Sequence, residues 1–227
     1  LHLVLHLFKH DDLKRFRRNL HVSPATFDAL LQQINQHPVF YNQSNSSQMP
    51  IPHQLAIVLY RFGHNGNAAG VEAVAQWAGS SAGMVVKATR WVIIAFLALH
   101  DQAIRWPSAA EKEEAKEWVE AAACTAWRDG YVLVDGTLVK LAEKPARHGK
   151  AYFDCKSNYS LNVQLITLPN LRIVDYVIGH CRSVHDSTAF MDSRTHKEHH
   201  QLFRKGEWIW ADSAYSIEAW CVTPFKK

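Results

Sequence analysis

The spacing of apolar residues changes once along this chain, near Gly130, and this change limits the possible folds more than any other feature. Before Gly130 the apolar residues of segments 53–62 and 71–78 recur at the i, i+3, i+4 spacing of an amphipathic helix, and Ser23-Pro24 predicts the start of another helix over residues 25–34. After it, strand-length apolar runs follow at residues 131–134, 159–168, 171–178 and 208–211. The sequence therefore predicts helices first and a mixed sheet afterwards, an α+β or α/β class.

We divide the chain accordingly into three parts. Residues 1–108 form a helical region, residues 109–130 a charged linking helix with Gly130 as its C-cap, and residues 131–227 a sheet domain. The chain begins without methionine and ends abruptly at residues 224–227 (PFKK). We therefore expect a fragment of a longer protein, with the sheet domain incomplete at its C-terminus.

The helical region contains two features that could contact DNA. Residues 13–19 predict a basic helix with Lys14, Arg15, Arg17 and Arg18, for which a solvated face is the alternative to phosphate contact. Residues 79–81 separate two helical patterns and give the outline of a helix-turn-helix. The second of these helices is apolar on nearly every side, so DNA reading and a packing role both stay open. The same break fits the G-x-S-x-G pattern of serine hydrolases, but it lacks the strand that must precede the nucleophile.

Composition excludes several other classes. The four cysteines lie far apart without a C-x-x-C pair, which predicts reduced thiols rather than a zinc knuckle or a disulfide framework. The longest apolar run, residues 91–99, is too short to span a bilayer, and no signal peptide precedes it, so no membrane is expected. The formal net charge of +4 is compatible with nucleic acid but indicates it only weakly.

Two aspartates each follow a predicted strand, Asp135 after residues 131–134 and Asp212 after residues 208–211. If those strands are neighbours, both carboxylates meet at one edge of the sheet, where ligands of α/β sheets gather. Adjacent carboxylates repel each other and need a cation, and hard oxygen ligands favour Mg²⁺ or Mn²⁺. For either aspartate alone the alternative is a turn, Asp135-Gly136 being a common turn dipeptide.

Four short motifs together resemble those of the PIF/Harbinger transposases and their domesticated nuclease relatives within the DDE superfamily. They are Val134-Asp135-Gly136-Thr137, residues 159–164 (YSLNVQ), Gly179-His180 with residues 183–187 (SVHDS), and residues 211–215 (ADSAY). Upstream, residues 104–107 (IRWP) also resemble an element of this family, which carries a helix-turn-helix-like segment before its nuclease domain.

This resemblance implies an RNase H-like fold in which Asp135 and Asp212 are the first two of three acidic metal ligands. The third is expected beyond Lys227, so the chain should be inactive alone. The family further implies a two-metal mechanism with Mg²⁺ or Mn²⁺, transposon ends as the DNA substrate, a nuclear location and a separate DNA-binding partner protein.

The status of two residues beside this site stays open. Asp186 is either a metal ligand or, as its position before a predicted helix at 187–202 favours, a structural N-cap. His185 could pack beside the site. The three histidines of that helix, at 196, 199 and 200, suggest a zinc site only weakly, and we expect them to be solvated.

A basic segment separates the first strand from the next, with Lys140, Lys144, Arg147, Lys150 and Lys156. The position of this segment favours contact with DNA, and ordinary surface charge is the alternative. Within the following strand Ser160, Asn162 and Gln164 share one face, which we expect to look toward the substrate.

The leading hypothesis is thus a metal-dependent DNA endonuclease of the DDE transposase kind. A domesticated or decayed copy that binds DNA or protein without cutting is the main alternative. A phosphatase that uses the same carboxylates is a third.

Overall fold

The computed structural model describes residues 1–41, 47–154, 157–181 and 184–224. The chain divides into two compact units, Leu1–His100 and Asp101–Lys227. The described residues form eleven α-helices and one mixed five-stranded sheet, and the N-terminal part is helical. The predicted α+β class is confirmed.

The first unit is all helical. Its helices are α1 (Lys9–Asp11), α2 (Leu13–Leu20), α3 (Pro24–Ile34), α4 (Ile51–Gly63), α5 (Val71–Ala78) and α6 (Ala82–Leu97), with α7 (His100–Ala103) at the unit boundary. As predicted, Ser23 begins α3, where its hydroxyl accepts the N–H of Thr26 at 3.1 Å. Phe16, Leu20 and Phe27 are fully buried in the core that these helices share.

The turn between α5 and α6 has the predicted helix-turn-helix outline. The two helices meet at 96°, and Gly79 ends α5 in the left-handed region at φ 64°. Ser81 then caps α6 by accepting the N–H of Met84 at 3.2 Å. Because a helix precedes this turn, Ser81 is no hydrolase nucleophile.

α4, α5 and α6 enclose a small apolar core of Ile57, Val74, Ala75, Val85 and Ala88. The opposite side of α6 is open, since Val86 is 52% exposed and Ile94 38%. α6 thus packs on one side, while its other side is accessible although it carries apolar residues. Among the described residues no single helix is long and apolar enough to cross a membrane, and α5 with α6 pass that test only together, across their bend.

The second unit contains the sheet. Its strands are β1 (Gly130–Lys140), β2 (Ser160–Thr167), β3 (Ile173–Cys181), β4 (Trp208–Trp210) and β5 (Cys221–Val222), in the order β3-β2-β1-β4-β5. β1, β2 and β3 are antiparallel neighbours, whereas β4 and β5 run parallel to β1. Its further helices are α8 (Ala109–Ala122), α9 (Asp186–Phe190), α10 (Arg194–Lys197) and α11 (His199–Leu202).

The extents of two predicted helices in this unit are wrong. α8 stops at Ala122, and Gly130 begins β1 instead of capping a helix, because it pairs with Trp208 of β4. Its carbonyl also accepts the indole N–H of Trp210 at 2.8 Å. The predicted helix at 187–202 is three short helices. Ser193 starts a new one by accepting the N–H of His196 at 2.9 Å, and Asp175 on β3 accepts both the N–H and the hydroxyl of Thr195.

A buried charge cluster fastens α8 to the sheet. Glu207, just before β4, is 5% exposed and lies against the ammonium groups of Lys112 and Lys116, at 3.3 and 2.8 Å. Burial raises the pKa of Glu207, but the hydrogen bonds from Lys116 and from the N–H of Arg204 outweigh it, so the pKa lies below its ordinary value. Tyr131 on β1 donates its hydroxyl to the same carboxylate at 3.3 Å.

At Gly130 two indole rings pack directly against the backbone of β1. A Cβ atom at this position would lie 2.3 Å from the Nε1 atoms of both Trp208 and Trp210. We expect Gly130→Ala to lower the free energy of unfolding by about 1–3 kcal/mol, because the rings must move. Urea unfolding measures this.

Gly83 in α6 is the matched control, since a Cβ atom there meets nothing within 4 Å. Gly83→Ala should raise the free energy of unfolding by about 0.5–1 kcal/mol through helix propensity. Equal effects of the two substitutions would contradict the packing argument at Gly130.

Candidate active site

The pairing of β1 with β4 brings the two predicted aspartates to neighbouring positions. The strands are parallel, with Val132 opposite Ile209 and Leu133 opposite Trp210. Asp135 and Asp212 each come two residues beyond the last of these pairs. Asp135 therefore lies on β1 beside the end of β4, and Asp212 lies in the turn that follows β4; both residues are exposed.

Asp135 does not end its strand, as the sequence had indicated. β1 continues to Lys140 because β2 pairs with it along its whole second half, with Asp135 opposite Leu165 and Gly136 opposite Gln164. The alternative of an Asp-Gly turn is thereby excluded. Asp212 does follow its strand, and its Oδ1 atom accepts the N–H of Ala214 at 2.7 Å in a tight turn.

The polar face of β2 points inward, which corrects the expectation that it looks toward substrate. Ser160, Asn162 and Gln164 are between 0 and 2% exposed, whereas the apolar residues between them are only half-buried. Buried amides need partners. The amide of Gln164 donates to Asn162 Oδ1 at 3.1 Å, and Ser160 donates its hydroxyl to Asp154 at 2.6 Å.

Asp186 is the main acceptor for these amides. Its Oδ1 atom accepts the side-chain N–H groups of both Asn162 and Gln164, each at 2.9 Å. Asp186 is the first residue of α9, and His185, which is exposed, holds the N-cap position. Neither side chain caps α9 within the described part of the chain, so the predicted N-cap role of Asp186 is wrong.

Gly136 explains how Asp186 reaches the sheet. A Cβ atom at position 136 would lie 2.8 Å from Asp186 Oδ1 and 2.8 Å from Gln164 Nε2, so the carboxylate packs directly on the backbone of β1. Consecutive residues of a strand face opposite sides. Asp186 therefore lies on the Gly136 side of β1, and Asp135 points to the other side.

Tyr215 joins the loop after β4 to this polar layer. Its hydroxyl donates to the carbonyl oxygen of the Gln164 side chain. Burial raises the pKa of Tyr215 above its ordinary value, and the negative charges of Asp186, Asp212 and Asp135 raise it further. Tyr215 is thus a protonated hydrogen-bond donor close to all three carboxylates. The sequence motif contained Tyr215 and Gln164, but nothing in it indicated their contact.

The predicted cationic segment lies on the surface. Lys140, Lys144, Arg147 and Lys150 are exposed, and a cavity of about 470 Å³ is lined by Lys144, His148 and Lys150 among others. Lys156 lies outside the described residues. This arrangement suits a negatively charged ligand such as a phosphate group.

The histidines of α10 and α11 are not the solvated row that was expected. His199 stacks on Trp220 with ring centroids 4.4 Å apart, and His196 meets the same indole edge-on at 5.5 Å. His200 alone of the three is exposed. Across the ranges that the structure describes, no group of three histidine, cysteine or acidic side chains is close enough to hold a metal ion.

Comparison with known proteins matches the segment that carries this site. Residues 134–227 match the family described as DDE superfamily endonuclease. The chain is also 22% identical, over 240 aligned residues and 95% of its length, to "Protein ALP1-like" of Arabidopsis thaliana. It spans 56% of the length of that curated relative. No solved structure matches it. These matches confirm the resemblance to DDE superfamily endonucleases and support a nuclease- or transposase-type function.

Gln164 connects three elements through one buried side chain, so its loss should be costly. We expect Gln164→Met to lower the free energy of unfolding by about 1–3 kcal/mol for each buried group left without a partner. The two groups concerned are the Tyr215 hydroxyl and the Asn162 Oδ1 atom, whereas the Asp186 carboxylate keeps the amide of Asn162 as a donor. Urea unfolding measures the effect, with Gln201→Met at an exposed position as the control. A loss no larger than that of the control would show that the layer contributes little.

Proposed function

We propose that this chain is part of a Harbinger-type DDE transposase whose second unit has an RNase H-like fold and cuts phosphodiester bonds of DNA. The parallel pairing of β1 with β4 supports this proposal, because Asp135 lies on β1 beside the end of β4, and Asp212 of the same matched segment directly follows that end. Transposon ends are the natural substrate that the resemblance implies. The nucleus is then the place of action, and a separate DNA-binding protein is the expected partner.

The two carboxylates fit a hard divalent cation such as Mg²⁺ or Mn²⁺. Both carboxylates are exposed, and an ionised carboxylate offers two acceptor oxygens and no donor. Asp135 lies on β1 and Asp212 follows β4, and these paired strands are a rigid support. Asp135 and Asp212 would hold the ion. When bound, a divalent ion activates water and stabilises the leaving oxygen of a phosphodiester. A third acidic ligand beyond residue 227 remains part of this proposal.

The other residues of the site have positioning roles in this proposal. Asp186 faces away from Asp135 and is occupied by the amides of Asn162 and Gln164, so we assign it to the wall of the site. Tyr215 holds the loop that begins at Asp212 against that wall. His185 is exposed at the start of α9 and is available to a bound strand.

The cationic segment would bind the DNA backbone. Lys140, Lys144, Arg147 and Lys150 are exposed on the connection that leaves β1, the strand of Asp135. Each neutralised phosphate releases counterions, which makes binding dependent on salt.

A non-cutting DNA- or protein-binding module is the second candidate. The described residues do not bring three metal-binding side chains together, which agrees with either candidate, because the cutting candidate takes its third ligand from beyond residue 227. The two candidates differ in whether Asp135 and Asp212 bind a metal ion.

Metal titration separates these candidates. We expect calorimetry to show a Mn²⁺ site. Asp135→Asn and Asp212→Asn should each lower its affinity by roughly 10–100-fold or more, because losing only a hydrogen-bond partner of a metal ligand already costs that much. Asp192→Asn, which changes an exposed aspartate elsewhere in the unit, should leave the affinity unchanged. Nicking of supercoiled DNA should be weak, because two carboxylates leave the site short of a ligand. Strong nicking that survives Asp135→Ala would show that the chemistry lies elsewhere.

The cationic segment gives a second test. Neutralising Lys144, Arg147 and Lys150 together should reduce the slope of log affinity against log salt by about 3 × 0.9, because three phosphate contacts are lost. Fluorescence anisotropy with labelled duplex DNA measures the slope. An unchanged slope would exclude this segment from the DNA-binding surface.

A further inference from the structure

The net positive charge of the chain belongs entirely to its first unit. Leu1–His100 contains eight lysines and arginines and four acidic residues, so it carries the whole formal charge of +4. Asp101–Lys227 contains seventeen of each and is neutral. The unit that carries the candidate active site is therefore not the one with the excess of cations.

Helix α2 concentrates four of these cations. Phe16 and Leu20 face the core and are fully buried, while Lys14, Arg15, Arg17 and Arg18 are exposed. Arg15 lies 3.3 Å from Asp12. In the described ranges Lys14, Arg17 and Arg18 form no ion pair, so their charge is not compensated by neighbouring side chains.

Contacts with Trp77 hold the last turn of α2 beside the helix-turn-helix. Asn19 in that turn accepts the indole N–H of Trp77 at 3.2 Å. Trp77 lies near the end of α5, two residues before Gly79, and its ring stacks on Tyr60 of α4 at 3.9 Å. Its carbonyl also accepts the N-terminal amino group at 3.1 Å. Arg17 and Arg18 are thus fixed near the turn that begins α6.

The exposed side of α6 has a matching character. Val86, Lys87 and Arg90 are all exposed on its first half, and α6 contains no acidic residue. In helix-turn-helix proteins the first turns of the second helix enter the major groove while neighbouring elements contact the backbone. Valine can contact thymine methyl groups, and lysine and arginine can reach guanine edges or phosphates.

We propose that the first unit binds duplex DNA, with Val86, Lys87 and Arg90 of α6 in the major groove and Arg17 and Arg18 of α2 on the phosphate backbone. This surface goes beyond the proposed nuclease function, because it would hold DNA whether or not the second unit cuts it.

Fluorescence anisotropy of the whole chain with a labelled duplex, in EDTA, tests the proposal without any contribution from metal or cleavage. Arg17→Gln/Arg18→Gln should reduce the slope of log affinity against log salt by about 1.8, because two phosphate contacts are lost. Raising the salt from 50 to 200 mM should then weaken binding roughly tenfold less than in the wild type. Lys87→Gln/Arg90→Gln should weaken duplex binding by about tenfold or more at low salt. Arg17→Lys/Arg18→Lys keeps both charges and should keep the slope.

Lys197→Gln/Lys205→Gln removes two exposed charges from the second unit and should leave the slope and affinity unchanged. Circular dichroism checks that each variant keeps its helices. A wild-type slope in Arg17→Gln/Arg18→Gln would overturn the role of α2. Equal affinity for single-stranded and duplex DNA would overturn the duplex assignment, as would binding to anionic phosphatidylserine vesicles in place of DNA. A failure of metal binding at Asp135 would leave this surface intact.

Discussion

The packing of the second unit depends on two buried side-chain amides of β2, because both need hydrogen-bond partners. Asn162 and Gln164 face inward, where an amide without a partner costs about 1–3 kcal/mol. Their partners come from different parts of the chain: Asp186 at the start of α9 and Tyr215 in the loop after β4. Satisfying one side chain, that of Gln164, therefore fixes a helix and a loop on the same strand. The absence of a side chain at Gly136 leaves the room in which they meet.

This layer also separates the negative charges of the site. Three aspartates lie close enough to raise the pKa of Tyr215, yet strand alternation places Asp186 on one side of β1 and Asp135 on the other. Two amide donors stabilise the Asp186 carboxylate, whereas Asp135 and Asp212 remain exposed to solvent. The carboxylates that a cation can reach are therefore those of Asp135 and Asp212, which have no amide donors of this kind. Burial and, to a smaller extent, the same charges raise the pKa of Tyr215, so its hydroxyl acts as a hydrogen-bond donor there.

The sequence predicted features that depend on neighbouring residues and missed those that depend on distant ones. The Ser23 cap of α3 and the glycine turn after α5 follow from local rules and were confirmed. Alternation showed that Asn162 and Gln164 share a face, but not that this face is buried, because its partners Asp186 and Tyr215 are 22 to 51 residues away. Asp186 was read as a cap for the same reason: its local setting favours one, and the competing donors on β2 cannot be seen locally.

Net charge is a poor guide to where a chain of this kind meets DNA, because the total hides its distribution. The second unit is neutral, so phosphate contacts there depend on a local cluster at residues 140–150, beside exposed aspartates that repel phosphate. The first unit has an excess of cations and none of the site's carboxylates. Electrostatic attraction falls off within about 10 Å at 0.1 M salt, so each surface acts on the DNA next to it. Holding a duplex and cutting it are tasks with opposite charge requirements, and the functions proposed above assign them to different units.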